Sequence, residues 1–359
     1  MPSTTRTSRS SASAASSAAS SAAETGAGRA ERPGRAGRSL VAIGGGTGLA
    51  VLLRGLKHEV GRGVRELAAV VTVSDDGGSS GRLRREFGVL PPGDVRSCIA
   101  ALADDEDLLA RLFQYRFTDG GGLEGHSFGN LFLTALTGIT GDFYQAILTA
   151  ESILSVRGKI LPATLTDVEL RARGRSGQVY RGESAIGKSG EAITELELRP
   201  AAAPAFPAAV KALRRADLIL LGPGSLYTSI LPNLLIPAIR RAIQRSPAPV
   251  VLLMNLMTQP GETDGMNGIE HLEALERHAG EGIVDKVLVN SAPLPADPLD
   301  LYQATGAVPV AVDREAFARR GIEVVEADLL AAGELIRHDP AKLAKAVVAL
   351  AAPATPEAP

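Results

Sequence analysis

Tryptophan is absent from this 359-residue chain, and aromatic residues make up only 4% of it. Broad stacking platforms of the kind that hold single-stranded nucleic acid are therefore not expected. A single cysteine, Cys98, excludes an internal disulfide and a cysteine metal cluster, and it fits a reducing cytoplasm. Charge of either sign is not in excess: 38 Lys and Arg face 40 Asp and Glu, for a net charge of −2. Nothing electrostatic calls for nucleic acid or an anionic membrane as partner. No apolar run reaches the roughly 18 to 20 residues of a membrane span. Neither a Ser–His–Asp order nor a His cluster with metal-ligand spacing is found.

The chain does have a core: 45% of its residues are apolar. They begin late. Residues 1–38 are Ser, Ala, Arg and Gly without an apolar h-region, too poor in apolar surface to offset ordering entropy, and predict a disordered tail. Residues 352–359 predict a second one. Between them, "SLVAIGGGTGLAVLLRGLK" reads as strand, glycine loop and amphipathic helix, with Leu49, Leu52, Leu53 and Leu56 on one face. "ELAAVVTVSDD" supplies a second strand, completing a βαβ unit with a parallel pair. In "PPGDVRSCIAALAD", Asp94 is placed to cap a helix. Residues 156–200 alternate polar and apolar and predict a β-rich insertion. The strand–helix rhythm then resumes in "ADLILLGPGSLYTS", "PVVLLMNLMTQPGETDG" and "VDKVLVNSA", and Asp339 with Pro340 opens a last helix. The expected fold of residues 39–351 is α/β: a doubly wound, mostly parallel Rossmann-like sheet with that insertion.

Ligands of such sheets bind outside the carboxyl ends of the strands. Four strand ends here lead into glycine-rich or polar loops: "GGGTG" (44–48), "SDDGGSSGR" (74–82), "GPGSLYTS" (222–229) and "NLMTQPGETDG" (255–265). Glycine lets backbone approach a ligand closely, and N–H groups at a helix start attract anions. "GGGTG" departs from the dinucleotide fingerprint because Leu49 stands at the third glycine, and it lacks the Lys-Ser/Thr of a Walker loop. In the second loop, Asp75 or Asp76 could hold Mg²⁺ or ribose hydroxyls. Gly77, Gly78, Ser79, Ser80 and Gly81 could form an anion nest, and Arg82 could pair with phosphate. His126 is a candidate base or phosphate donor, or a structural histidine. Asn130 suits a sugar contact or a helix cap. Asn255 and Thr258, at another strand end, face ligand or solvent. Tyr302 suits base stacking or rim packing, and Arg337 suits a phosphate or a surface ion pair.

Taken together, "IGGGTGL", "SDDGGSSGRLR", "PPGDVRSC", "EGHSFGNLFLTALT", "LGPGSLYTSILPNLL" and "NLMTQPGETDG" resemble the bacterial gluconeogenesis factor family (YvcK-like), sister of the 2-phospho-L-lactate transferase family. The likeness runs from about residue 39 to 351. It implies a Rossmann-like core in a cytoplasmic protein needed for cell shape and for growth on gluconeogenic carbon sources. It also implies binding of a UDP-sugar such as UDP-N-acetylglucosamine, a link to cell-wall precursor supply through a protein partner, and room for a homo-oligomer. On this chain, Gly45, Gly46 and Thr47 would approach phosphate. Asp75 and Asp76 would face Mg²⁺ or substrate. Gly222, Gly224, Ser225 and Asn255 would line the cleft, with Tyr302 and Arg337 on uracil and diphosphate. The transferase branch offers an alternative, moving a phospholactyl-type group from a nucleotide diphosphate donor to a deazaflavin. With so few aromatics to stack a flat acceptor, a non-catalytic regulator is the expectation, and no catalytic residue is assigned.

Overall fold

The long apolar runs become parallel strands buried on both faces. β1 (Arg38–Gly44) pairs in parallel with β2 (Val64–Val71) on one side. In β1, Val41 and Ile43 enter the core layer on one face of the sheet, while Leu40 and Ala42 enter the layer on the other. Side chains of a strand point alternately to opposite faces, so a strand covered on both sides must be apolar throughout. The computed structural model describes residues 37–103 and 108–351. The expected tails therefore fall outside the described residues, apart from Gly37 and Arg38.

Beyond β2 lies β3 (Lys159–Pro162), and on the far side of β1 come β7 (Leu218–Leu221), β8 (Val250–Leu253), β9 (Lys286–Asn290) and β10 (Glu323–Ala327). The order β10-β9-β8-β7-β1-β2-β3 is parallel at every pairing. One face carries helices Gly46–Leu56, Gly93–Leu102, Phe143–Ile153 and Pro340–Ala351; the other carries Pro207–Arg215, Pro237–Gln244 and Gly268–Ala279. Leu49, Leu52, Leu53 and Leu56 are all fully buried, as their spacing predicts. The fold is doubly wound α/β.

The insertion is shorter than 156–200. β4 (Glu169–Gly174), β5 (Val179–Arg181) and β6 (Ile193–Arg199) form a separate antiparallel sheet, ordered β5-β4-β6. β3 is instead the third strand of the main sheet, because Ile160 and Leu161 are buried on opposite faces beside Ala69 and Val70. β10 was not expected: it is a five-residue edge strand with no buried residue, and two glutamates break its apolar run.

Candidate functional site

Strand order reverses at β1. Successive strands β1-β2-β3 move one way and β7-β8-β9-β10 the other, which opens a crevice above the carboxyl ends of β1 and β7. Those ends are Gly44 and Leu221, so "GGGTG" and "GPGS" face each other across the crevice. The Gly222 N–H donates to Ile43 O at 2.9 Å. Helix Gly46–Leu56 starts here from an extended Gly45, and Gly46 has φ +61°. Thr47 is exposed in its first turn.

Several of these glycines serve protein atoms rather than a ligand. A Cβ on Gly48 would stand 2.5 Å from Pro223 O, and one on Gly45 would stand 2.4 Å from Asp94 Oδ2. Gly222 and Gly224 take φ +79° and +152°. Asn255 clamps the loop from both sides, accepting from Gly224 N at 3.2 Å and donating to Gly224 O at 2.8 Å. Ser225 Oγ donates to Gln259 Oε1 at 2.6 Å. Asn255 and Ser225 thus shape "GPGS", whose Gly222 and Gly224 N–H groups are already taken by protein acceptors.

Below the crevice, carboxylates gather from separate segments. Asp75 accepts from Gly77 N at 2.8 Å, and its other oxygen packs where a Cβ on Gly93 would come within 2.3 Å. Asp94 is no helix cap: it lies in the first turn of Gly93–Leu102, turned to accept the Gly46 N–H. Burial, and then the Asp75 charge, push its pKa well above the usual carboxylate range. Glu183 from the insertion is driven up by burial first and then by Asp94, Asp75, Glu262 and Asp76. Glu262 is raised to about 7 by burial, although Thr228 Oγ1 and Gln259 Nε2 donate to it, both at 3.1 Å. Asp94 Oδ2, Glu183 Oε2 and Glu262 Oε2 are buried without a hydrogen-bond partner among the described residues. Local sequence gave no sign of this convergence. Asp94 reads as a cap, and Glu183 is one acid in an alternating β segment.

Asp76 stands beside Glu183 but is tied up by the insertion. Its Oδ1 accepts from Ser184 N at 2.9 Å, and its Oδ2 fills the space beside Gly182, fastening the insertion over the crevice. Nor do Gly77 to Gly81 form an irregular nest. Helix Gly78–Phe87 begins at once, with Ser79 and Ser80 in its first turn. Gly81 is needed because a Cβ there would strike Asp76 O. Ser79 Oγ lies 2.8 Å from His126 Nδ1, and Arg82 donates to Glu124 O at 2.5 Å. Asn130 donates to Ser80 Oγ at 3.4 Å; the cap of its helix is Ser127.

On the β7–β10 side, Tyr302 and Arg337 are brought together from 35 positions apart: the Tyr302 hydroxyl donates to Ile336 O at 3.3 Å. Tyr302 is half-buried against Met257 and Ile336, and Arg337 is exposed. Thr258 does other work. Its N–H donates to Val308 O at 2.7 Å and its hydroxyl accepts from Val308 N at 2.9 Å, pinning the segment after Tyr302.

Known proteins share both sequence and fold. The profile of the family described as 2-phospho-L-lactate transferase CofD matches residues 40–330. The gluconeogenesis factor of Bacillus subtilis is 46% identical over 312 residues, covering 87% of this chain and 97% of that protein. A Nostoc relative is 51% identical over 312 residues, covering 86% of this chain and 68% of its own. A crystal structure from Bacillus halodurans, described as a member of the UPF0052 family, superposes with a TM-score of 0.83 at 44% identity, covering 88% of this chain and 100% of that one. With the crevice, its loops and this likeness in hand, the chain belongs to the gluconeogenesis factor family, within the wider CofD group.

Proposed function

We propose that the chain binds a nucleotide sugar, UDP-N-acetylglucosamine by preference, in the crevice between β1 and β7. In this reading it acts in the cytoplasm as a non-catalytic regulator. It supports growth on gluconeogenic carbon sources, cell shape and cell-wall precursor supply, with a protein partner carrying the output. The supporting observation is the meeting of "GGGTG" and "GPGS" at the point where strand order reverses. With Gly46, Gly222 and Gly224 N–H already engaged, the N–H groups of Thr47 and Gly48 in the first turn of helix Gly46–Leu56 are those that suit a diphosphate. Tyr302 would then meet uracil and Arg337 the diphosphate, with the sugar directed towards Asp75.

Mg²⁺ fits the carboxylate side. The donors are hard oxygens, and Asp94 and Glu183 each keep an unpartnered buried oxygen. Among the described residues no group of three acids converges closely enough to enclose a metal. Mg²⁺ ordinarily completes its shell with water and phosphate oxygens, so Asp75 and Asp94 would hold it only together with the ligand. Bound there, it would supply charge to neutralise the diphosphate. Asp76, already tied to Ser184, is left out of that role.

A thermal-shift series with UDP-N-acetylglucosamine, UDP and NAD tests the reading. Stabilisation by the uridine ligands and not by NAD is expected; no shift with either uridine ligand ends it. The CofD likeness favours a second reading, a phospholactate-type transferase. Incubation with nucleotide-activated phospholactate and a deazaflavin, read by mass spectrometry, decides it. A product lost in Asp75→Asn supports the enzyme, and no product from the unaltered protein counts against it.

A further inference from the structure

The insertion carries a hollow of its own, on the solvent side of its sheet and away from the crevice. Along β4 and β6 side chains alternate: Ala172 and Leu196 are buried, while Arg171, Arg173, Glu195, Glu197 and Arg199 lie on the other face. The end of helix Gly268–Ala279 stands beside β6 and adds Arg277 and His278. These walls bound about 400 Å³, within the roughly 300–1,000 Å³ of small-molecule sites.

Positive charge is in excess there. Four arginines line the hollow against two glutamates, a balance of +2 in a chain whose net charge is −2. Arg173 pairs with Glu195 at 3.1 Å and Arg199 with Glu197 at 2.8 Å, and all four side chains are about half exposed or more. Exposed pairs contribute little to stability, so a bound anion can take over either arginine. The Arg277 side chain has no hydrogen bond or ion pair among the described residues. Neither has that of Arg181, which lies directly opposite Arg171 across β4 and β5. Like charges so placed on a sheet are destabilising, and folding of the insertion does not call for them. His278 adds no charge: its Nε2 accepts from Leu196 N, its Nδ1 donates to Ala274 O at 2.7 Å, and burial lowers its pKa.

We propose that this hollow is an effector site for a small di- or tricarboxylate. Guanidinium forks take carboxylates by two oxygens at once, and Arg199 already holds Glu197 so, through Nε and Nη2, each at 2.9 Å. Arg171 and Arg173 are two residues apart on one strand face, about 7 Å, and Arg277 faces them from beyond β6. Charges spread in this way suit several carboxylates on a short carbon chain better than one compact phosphoryl group. Val179, 43% exposed opposite Arg173, gives that chain an apolar contact. A ligand shared by the β4 arginines and Arg277 would join the insertion to helix Gly268–Ala279, and the insertion is itself fastened over the crevice through Asp76. The effector role rests on the regulatory reading above; the binding site does not depend on uridine binding.

Calorimetry of the full chain with citrate, succinate and inorganic phosphate tests it, without added divalent cation and each with and without saturating UDP-N-acetylglucosamine. Saturable binding of citrate or succinate is expected, tighter than that of phosphate and persisting beside the nucleotide sugar. Arg277→Ala and Arg173→Ala should each weaken it about tenfold or more, the loss expected for one charge-assisted hydrogen bond. Both side chains are exposed, so both variants should fold normally. Arg62→Ala, which removes an exposed charge before β2, should leave the affinity unchanged. No binding of either carboxylate, phosphate binding as tight as theirs, affinity unchanged in Arg277→Ala and Arg173→Ala, equal weakening in Arg62→Ala, or displacement by the uridine ligand would overturn the proposal. Carboxylate binding without any uridine binding would end the nucleotide reading and leave this site standing.

Discussion

At the residue scale, the acids under the crevice set a distinctive pH dependence. A carboxyl whose pKa is raised on folding contributes stability below its unfolded value that is lost as pH rises through the folded value. For Glu262 that window runs from about 4.5 to about 7. Glu262→Gln should therefore raise the melting temperature at pH 8, by an amount corresponding to roughly 1–3 kcal/mol, and do little at pH 4. A variant equally or less stable at pH 8 would mean that a cation or a water already compensates the charge. Gly48 offers a second test of scale. Gly48→Ala would place a methyl against Pro223 O and push the "GPGS" loop aside. We expect a loss of about 1–3 kcal/mol in denaturant unfolding together with weaker uridine-ligand binding. Full stability with full binding would show that the two loops are not packed as described.

At the element scale, the insertion is held by side chains at its edges. The outer edge of β6 meets helix Gly268–Ala279: Leu196 N donates to His278 Nε2 at 3.0 Å, while Tyr227 donates to Ile193 O at 3.1 Å. An edge strand otherwise leaves such groups unpaired. His278→Phe keeps the ring but removes the acceptor, so hydrogen exchange at Leu196 should quicken while the main-sheet amides keep their protection. Loss of one such bond should cost about 1 kcal/mol. Unchanged exchange at Leu196 would show that the edge does not rely on it. Much of this level was legible in sequence. β1, β2, β7, β8 and β9 are runs of apolar residues because parallel strands are buried on both faces. β3, only four residues long, gives too little pattern to separate it from the alternating strands that follow. β10 carries the signature of an edge and was missed for that reason.

At the scale of the whole molecule, the strand order concentrates the unusual loops. Because winding reverses at β1, segments at 44–48, 75–82 and 222–225 end on one rim, and the loop 259–262 reaches it by way of Gln259 and Glu262. The glycines and Asp75 were recognisable because a cluster of them at a strand end is a local signal. Asp94, Glu183 and Glu262 were not, since their meeting depends on how the insertion folds back, an arrangement that no window of sequence contains. Asp94, Glu183 and Glu262 each keep a buried oxygen without a partner among the described residues. On this account they await a cation that arrives with a diphosphate.

The most direct measurement is calorimetry of UDP-N-acetylglucosamine binding to the unaltered protein and to Asp94→Asn, each with Mg²⁺ and again with excess EDTA. We predict binding by the unaltered protein that weakens about tenfold or more in EDTA, and an Asp94→Asn variant that binds weakly and no longer responds to Mg²⁺. Equal affinity in all four titrations, or no heat in any, would contradict a crevice that takes up diphosphate and cation together.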